Sequence, residues 1–247
     1  MENQDKIAVL IDGENISSRY IKLIIDEITA IGIPTYKRVY GDYTNPSVNA
    51  WQDELRSYAL TPVFQFNYTK GKNASDSAII IDAMDILYSG NVDGFCLVTS
   101  DSDFTKLALR LREAGMKVIG MGEQKTPVSL VSACETFKFL DLLYNEDSSA
   151  DEDSESDDGA RSKADKTTMP SKKQLRKEII AIIDTKGDAD GWIDHSVIGS
   201  LLGQRYPGFD PRNYKYKKLS SLIESYGCFE TKKESKKGST NVYFRLK

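Results

Sequence analysis

The sequence predicts an α/β protein: a doubly wound, mostly parallel sheet followed by a small winged helix-turn-helix domain. Three observations predict it. Short β-branched runs alternate with stretches of helical period through residues 1–143. Charge then divides the chain, with 14 Lys+Arg against 19 Asp+Glu in 1–143, 3 against 9 in 144–170, and 16 against 9 in 171–247. The last segment reads as three helices and a hairpin.

Each element follows from its local pattern. Ile7-Ala8-Val9-Leu10-Ile11 is a continuous apolar run, the mark of a strand buried on both faces. Ile16–Ile31 carries Ile21, Leu23, Ile24, Ile25 and Ile28 and predicts a helix. Thr35–Tyr40 predicts a strand, Ser47–Tyr58 a helix and Val63–Phe66 a strand. Ser75–Tyr88 is helical, with Ile79, Ile80, Ala83, Met84 and Leu87 on one face. Phe95–Val98 (strand), Phe104–Ala114 (helix) and Val118–Met121 (strand) come next. A short helix near Val128–Cys134 and an edge strand, Phe137–Leu140, close the unit. Right-handed crossovers are expected throughout.

Residues 144–170 read as a tether, acidic from Glu146 to Asp158 and without a large apolar side chain between Ala150 and Thr168. Such a segment is expected to be disordered, because it cannot bury enough surface to offset ordering entropy. It reads as a solvated linker, or as a mimic of nucleic acid competing for the basic unit behind it. In 171–247, Ser171 caps a helix carrying Leu175, Ile179, Ile180, Ile182 and Ile183. Trp192-Ile193 precedes a second helix, Ser196–Leu202, and Pro211–Tyr226 predicts a third. Cys228–Thr231 and Val242–Leu246 read as the wing.

Composition removes whole classes of chemistry. The chain has one histidine, His195, so the first domain has no Ser-His-Asp triad, histidine base or His-bound zinc. Three scattered cysteines imply neither a disulfide framework nor a zinc site. No apolar run approaches the roughly 20 residues of a membrane span, and the first residues lack a signal-peptide apolar region. A cytoplasmic setting without membrane contact is expected.

In open α/β sheets the site lies beyond the carboxyl ends of the strands. Asp12-Gly13-Glu14-Asn15 follows the first strand, and Thr99-Ser100-Asp101-Ser102-Asp103 follows Phe95–Val98. Lys70 and Lys72 precede Asp76 at the mouth of the next helix. Singly, these acids read equally as turn formers, caps or first-turn residues. Together they repel and raise one another's pKa unless a cation is present. Mg²⁺ or Mn²⁺ suits such an oxygen donor set and, without histidine, lowers the pKa of a water for attack. Lys70 and Lys72 suit an approaching phosphate. Asp82 is rotated about 120° from Asp76 on the helix, which leaves its membership of the site open.

These residues carry a resemblance. Ile11-Asp12-Gly13-Glu14-Asn15, Lys72-Asn73-Ala74-Ser75-Asp76 with Asp82 six on, and Ser100-Asp101-Ser102-Asp103-Phe104 resemble the NYN nuclease family. The likeness is to its bacterial LabA-like branch, within the PIN-like superfamily. It implies a PIN-like sheet and RNA hydrolysis at a divalent-metal site, with Asp12, Asp76, Asp101 and Asp103 as the catalytic, metal-holding cluster. Asn15 would support the first Asp or touch substrate, beside Ser100, Lys70 and Lys72. The family pattern also features the acid at Asp82.

In the second unit, Trp192-Ile193, Ile198–Leu202, Tyr206-Pro207-Gly208-Phe209-Asp210-Pro211-Arg212-Asn213-Tyr214 and Lys218-Leu219 resemble the LOTUS (OST-HTH) domain. Where that family commonly has Gly after the Tyr, this chain has Lys215. The resemblance implies RNA binding, with protein docking as a second use. From the residues themselves, Arg205, Arg212, Lys215, Lys217 and Lys218 with the wing residues Lys232, Lys233, Lys236 and Lys237 supply a polyanion surface. Tyr206, Phe209, Tyr214 and Tyr216 are candidates for base stacking, Phe209 and Tyr214 reading better as core. His195 reads as structural. The leading expectation is a metal-dependent endoribonuclease with a tethered RNA-binding module. The alternatives are a non-catalytic regulator that binds RNA or protein, and a DNA-directed nuclease or regulator.

Overall fold

The computed structural model describes residues 4–65, 74–148, 169–236 and 239–247. It divides into two compact units, Met1–Asn145 and Glu146–Lys247.

The first unit is a six-stranded parallel sheet flanked by helices. Its strands are β1 (Lys6–Asp12), β2 (Ile33–Gly41), β3 (Thr61–Phe64), β4 (Gly94–Val98), β5 (Lys117–Gly122) and β6 (Thr136–Phe139), in the order β3-β2-β1-β4-β5-β6. The helices are α1 (Ile21–Thr29), α2 (Pro46–Asn49), α3 (Gln52–Ser57), α4 (Ala74–Ser89), α5 (Thr105–Glu113), α6 (Val128–Ala133) and α7 (Leu140–Ser148). Every strand pair is parallel, as alternating strands and helices require. The chain winds outward from β1 to β3, returns through α4, and winds the other way from β4. The switch point therefore lies between β1 and β4, where such sheets place their sites.

Ile7–Ile11 is buried throughout. Ile7, Val9 and Ile11 join a core with Ile24 and Ile28 of α1 and with Trp51, while Ala8 and Leu10 alternate with them and face the other side. A central strand of this kind fixes the position of whatever follows it.

Four boundaries differ from the sequence expectation. The helix expected over Ile16–Ile31 begins as a 3-10 turn, Ser18–Tyr20, before α1. The helix expected over Ser47–Tyr58 is two short pieces, α2 and α3, with Trp51 buried between them. Strand β3 starts earlier than Val63, because Pro62 is tolerated on an edge strand that needs fewer ladder donors. Helix α7 continues into residues 144–148, which the charge pattern assigns to the tether. Leu140 and Leu143 are buried against the sheet and Tyr144 packs beside them, so the helix persists into the acidic run. The rest of the tether, residues 149–168, lies outside the described residues.

The second unit contains α8 (Lys172–Lys186), β7 (Ile193–Asp194), α9 (His195–Arg205), α10 (Leu219–Glu224), β8 (Phe229–Lys236) and β9 (Ser239–Leu246). Ser171 and Gln174 form a reciprocal capping box at the start of α8. The three strands form an antiparallel sheet in the order β7-β9-β8, with β8 and β9 as the wing. Leu175, Ile179, Ile198, Leu202, Leu222 and Phe244 share one core. The third helix expected over Pro211–Tyr226 is broken. A 3-10 turn, Pro211–Tyr214, ends at Lys215, whose φ of 66° is left-handed, and α10 starts only at Leu219.

Candidate metal centre

Asp12 ends β1 and is 1% exposed. Its Oδ2 accepts hydrogen bonds from Asn15 Nδ2 at 2.7 Å and Thr99 Oγ1 at 2.9 Å. Its Oδ1 accepts the backbone N–H groups of Glu14 and Asn15, both at 3.3 Å. Burial raises the Asp12 pKa above the ordinary carboxylate range, and these four donors oppose the rise. Gly13 makes the turn possible, because a Cβ there would stand 2.9 Å from Val39 Cγ1 and 3.0 Å from the Tyr40 carbonyl oxygen.

Across the switch point, Thr99 follows β4 and is buried. Its hydroxyl accepts the Asp101 N–H at 3.1 Å while donating to Asp12. Asp101 then caps the 3-10 turn Ser102–Phe104, with Oδ1 accepting the Asp103 N–H at 2.9 Å. Asp101 is therefore both a cap and a member of the acidic group. Ser100 Oγ accepts the Glu123 N–H at 2.9 Å and ties this loop to the end of β5. Gly122 allows that approach, since a Cβ there would lie 2.5 Å from the Thr99 carbonyl oxygen.

Asp76 enters from the first turn of α4, where the helix dipole favours a carboxylate. One carboxylate oxygen each from Asp76, Asp101 and Asp103 lie within 4.8 Å of one another. The Asp76 carboxyl is pushed up to about 6, first by burial and then by the charges of Asp12, Asp101, Asp103 and Glu14. Asp12 thus stands close enough to be felt, but outside the three-carboxylate group among the described residues. Hard oxygen donors converging with mutual repulsion fit a divalent cation.

Asp82 points elsewhere, its carboxylate accepting from Arg38 and from the Tyr40 hydroxyl. Lys70 and Lys72 lie outside the described residues. Thr99 and Glu14 lie within the two loop motifs but are not among the site residues that the sequence predicts. The signal for Thr99 is its position just after a buried strand at the switch point, and that for Glu14 is its place between Gly13 and Asn15.

The basic surface of the second unit divides. Arg205 pairs with Glu178, Arg212 holds Asp210 through two contacts at 3.1 and 2.9 Å, and Lys232 meets Glu234 at 2.6 Å. Lys215, Lys217, Lys218 and Lys233 are exposed and have no ion pair with another described residue. Lys236 and Lys237 have no described side chain. Tyr214 is buried, donates to the Pro170 carbonyl at 2.8 Å, and packs with Phe209 at 6.1 Å between ring centroids. Tyr206, Phe209 and Tyr216 are partly buried on the same core. Trp192, by contrast, lies under the Arg245 guanidinium at 4.7 Å and the Lys232 ammonium at 5.9 Å. His195 begins α9, with Nδ1 3.4 Å from Asp194 Oδ1. No described helix is long and apolar enough to cross a membrane.

Comparison with known proteins follows the same division. The NYN domain model matches residues 6–142 and the OST-HTH/LOTUS domain model matches residues 170–240. An uncharacterized protein of Methanocaldococcus jannaschii is 27% identical over 128 residues, covering 50% of each chain. The chain thus spans about half the length of that curated relative. A crystal structure of a protein of unknown function from Vibrio parahaemolyticus is 22% identical with a TM-score of 0.47, over 56% of this chain and 93% of that one. A solution structure of an uncharacterized protein from Nitrosomonas europaea is 29% identical with a TM-score of 0.27, over 39% of this chain and 92% of that one.

Proposed function

The chain belongs to the NYN domain family and carries an OST-HTH/LOTUS domain, and from that premise we propose a divalent-metal-dependent ribonuclease that cuts RNA internally. The observation that supports it best is the convergence of Asp76, Asp101 and Asp103 within 4.8 Å, from α4 and from the loop after β4, at the switch point of the sheet. These three would hold Mg²⁺ or Mn²⁺, with Asp12 adding negative charge behind them. When bound, the cation supplies charge neutralisation at a scissile phosphate and acidifies water.

The chain's own residues do the rest. Asn15 and Thr99 hold the Asp12 carboxylate in one orientation, so its oxygens are preorganised. Asp101 fixes its own loop by capping, which keeps Asp103 beside it. Asp76, whose carboxyl titrates at about 6, is ionised at neutral pH and protonated in mild acid. Lys70 and Lys72, just upstream of Asp76, would meet substrate phosphates, and Ser100 would act by keeping the β4 loop seated. In the second domain Lys215, Lys217, Lys218 and Lys233 would carry most phosphate contact, since Arg205, Arg212 and Lys232 already serve internal partners. The tether would raise the concentration of bound RNA at the cutting domain.

The test is cleavage of labelled single-stranded RNA, structured RNA and single-stranded DNA with Mn²⁺, Mg²⁺ or EDTA, beside Asp12→Asn and Asp101→Asn. Metal-dependent RNA cleavage that both variants lose is the expected result. RNA binding without cleavage, equal in the variants, supports a non-catalytic regulator, and preferential DNA cleavage supports a DNA-directed enzyme.

A further inference from the structure

Asp82 lies six residues after Asp76, about 9 Å farther along the axis of α4. Its carboxylate receives two donors from one strand, the Arg38 guanidinium and the Tyr40 hydroxyl. Arg38 and Tyr40 are two apart on β2, so they face α4 from the same side of the sheet. Tyr40 is fully buried and stands opposite Asp12 in the β1–β2 register. Its carbonyl accepts the Gly13 N–H at 2.9 Å. One residue thus touches both the strand end that carries Asp12 and the helix that carries Asp76.

That contact lies on the flank of the helix that faces the outer strands. Beside it, an open cleft of about 370 Å³ runs between α4 and the outer strands, lined by Arg38, Val63, Ser77, Ile81, Asp85 and Asp82 itself. Ile81, which an apolar seat would bury, is 63% exposed. Ile79, Ala83 and Ile86 form the buried stripe on the far side from Ile81, and Asp82 stands between the two, at the cleft edge of that stripe. On the cleft side the polar contacts of Asp82 do what packing does elsewhere.

We propose that Asp82 is a positioning residue, which with Tyr40 and Arg38 sets α4 on the sheet so that Asp76 reaches Asp101 and Asp103. It governs cation affinity without touching the cation. This rests on the metal-site reading above, and places the family-pattern acid at Asp82 in a different role from Asp76. Burial and the Asp82 carboxylate both push the Tyr40 hydroxyl above the ordinary tyrosine range, so it remains a donor at neutral pH.

The test is Mn²⁺ titration of the full chain by calorimetry, with melting temperatures recorded in EDTA. Tyr40→Phe and Asp82→Ala are compared with wild type and with Ile86→Val, which trims a buried contact at the far end of the same helix. Tyr40→Phe and Asp82→Ala should weaken Mn²⁺ binding roughly 10-fold, the scale of lost supporting contacts around ligands. Ile86→Val should lower the melting temperature and leave Mn²⁺ affinity unchanged. Should Asp82→Ala not fold, Tyr40→Phe, which removes one oxygen, decides alone. Wild-type affinity in Tyr40→Phe would overturn the proposal, as would an equal loss in Ile86→Val. No Mn²⁺ uptake by the wild type would defeat the metal-site reading itself.

Discussion

Thr99 joins the two halves of the acidic site through one hydroxyl. Its Oγ1 donates to Asp12 Oδ2 at 2.9 Å across the β1–β4 boundary and accepts the Asp101 N–H at 3.1 Å. The first strand end and the loop after the fourth strand are therefore not independent acids on one edge. They are a coupled pair, with the coupling buried where it is strongest.

Removing that hydroxyl should be costly. Thr99→Val keeps the volume but deprives a buried carboxylate of one of its donors, and should destabilise the protein by about 1–3 kcal/mol. It should also raise the Asp12 pKa further, since the Thr99 hydrogen bond lowers it. Urea denaturation of the metal-free protein checks the first point, with Thr99→Ser as the variant that keeps the donor. Equal midpoints for Val and wild type would count against the coupling.

The raised Asp76 carboxyl predicts an opposition between stability and cation binding. A carboxyl whose folded-state pKa, about 6, exceeds its unfolded value makes a contribution to stability that is complete in acid. That contribution disappears as pH rises through 6, because the folded state must then hold clustered like charges. Asp76→Asn should therefore raise the melting temperature in EDTA at pH 7.5, and gain little at pH 4. Mn²⁺ should raise the wild-type melting temperature at pH 7.5 far more than at pH 5, and should not raise that of Asp76→Asn. Scanning fluorimetry across pH gives both readings.

Lys215 sits at a φ of 66°, a region that costs a residue with a Cβ about 1 kcal/mol or more. Lys215→Gly should stabilise the second domain by roughly that amount, less whatever entropy the glycine adds to the unfolded chain. If the lysine is there for phosphate contact, RNA affinity should fall in the same variant and the salt slope should decrease by about 1. A stability gain with unchanged RNA binding would leave the strained lysine without a role in binding.

Basic residues in this domain should separate into two kinds. Lys217→Ala and Lys218→Ala should each lower the salt slope of RNA binding by about 1 and leave stability unchanged. Arg212→Ala removes the guanidinium from Asp210, which is 6% exposed and keeps the backbone N–H of residue 212, and should cost about 1–3 kcal/mol. Binding titrations at several salt concentrations, paired with thermal melts, distinguish the two kinds.

Much of this was legible from one-dimensional pattern. The run Ile7–Ile11 could only be a central strand, and Asp12, Asp76 and Asp101 follow from inspecting strand ends and helix mouths at the switch point. Three things were not legible, because each depends on residues distant in sequence. Thr99 acquires its role only when β1 and β4 are neighbours. Helical rotation leaves the place of Asp82 open, and it does not reveal that Arg38 and Tyr40 wait there, more than forty residues upstream. The break at Lys215 is hidden from periodicity, because Pro211 to Tyr226 has adequate helical spacing, and its sign lies instead in the glycine that the LOTUS family commonly has at that position. Charge alone also does not separate Arg205 and Arg212, which pair with Glu178 and Asp210, from the lysines that have no such partner.

A cation held by Asp76, Asp101 and Asp103 should act directly on a scissile phosphate. The most direct measurement replaces one non-bridging oxygen at the cleaved position of an RNA with sulfur and compares Mg²⁺ with the more thiophilic Mn²⁺ and Cd²⁺. Direct cation contact gives slow cleavage of one sulfur isomer in Mg²⁺, recovery in Mn²⁺ or Cd²⁺, and no recovery in Asp101→Asn. Cleavage at full rate with sulfur present, in EDTA and in the variant alike, would contradict it.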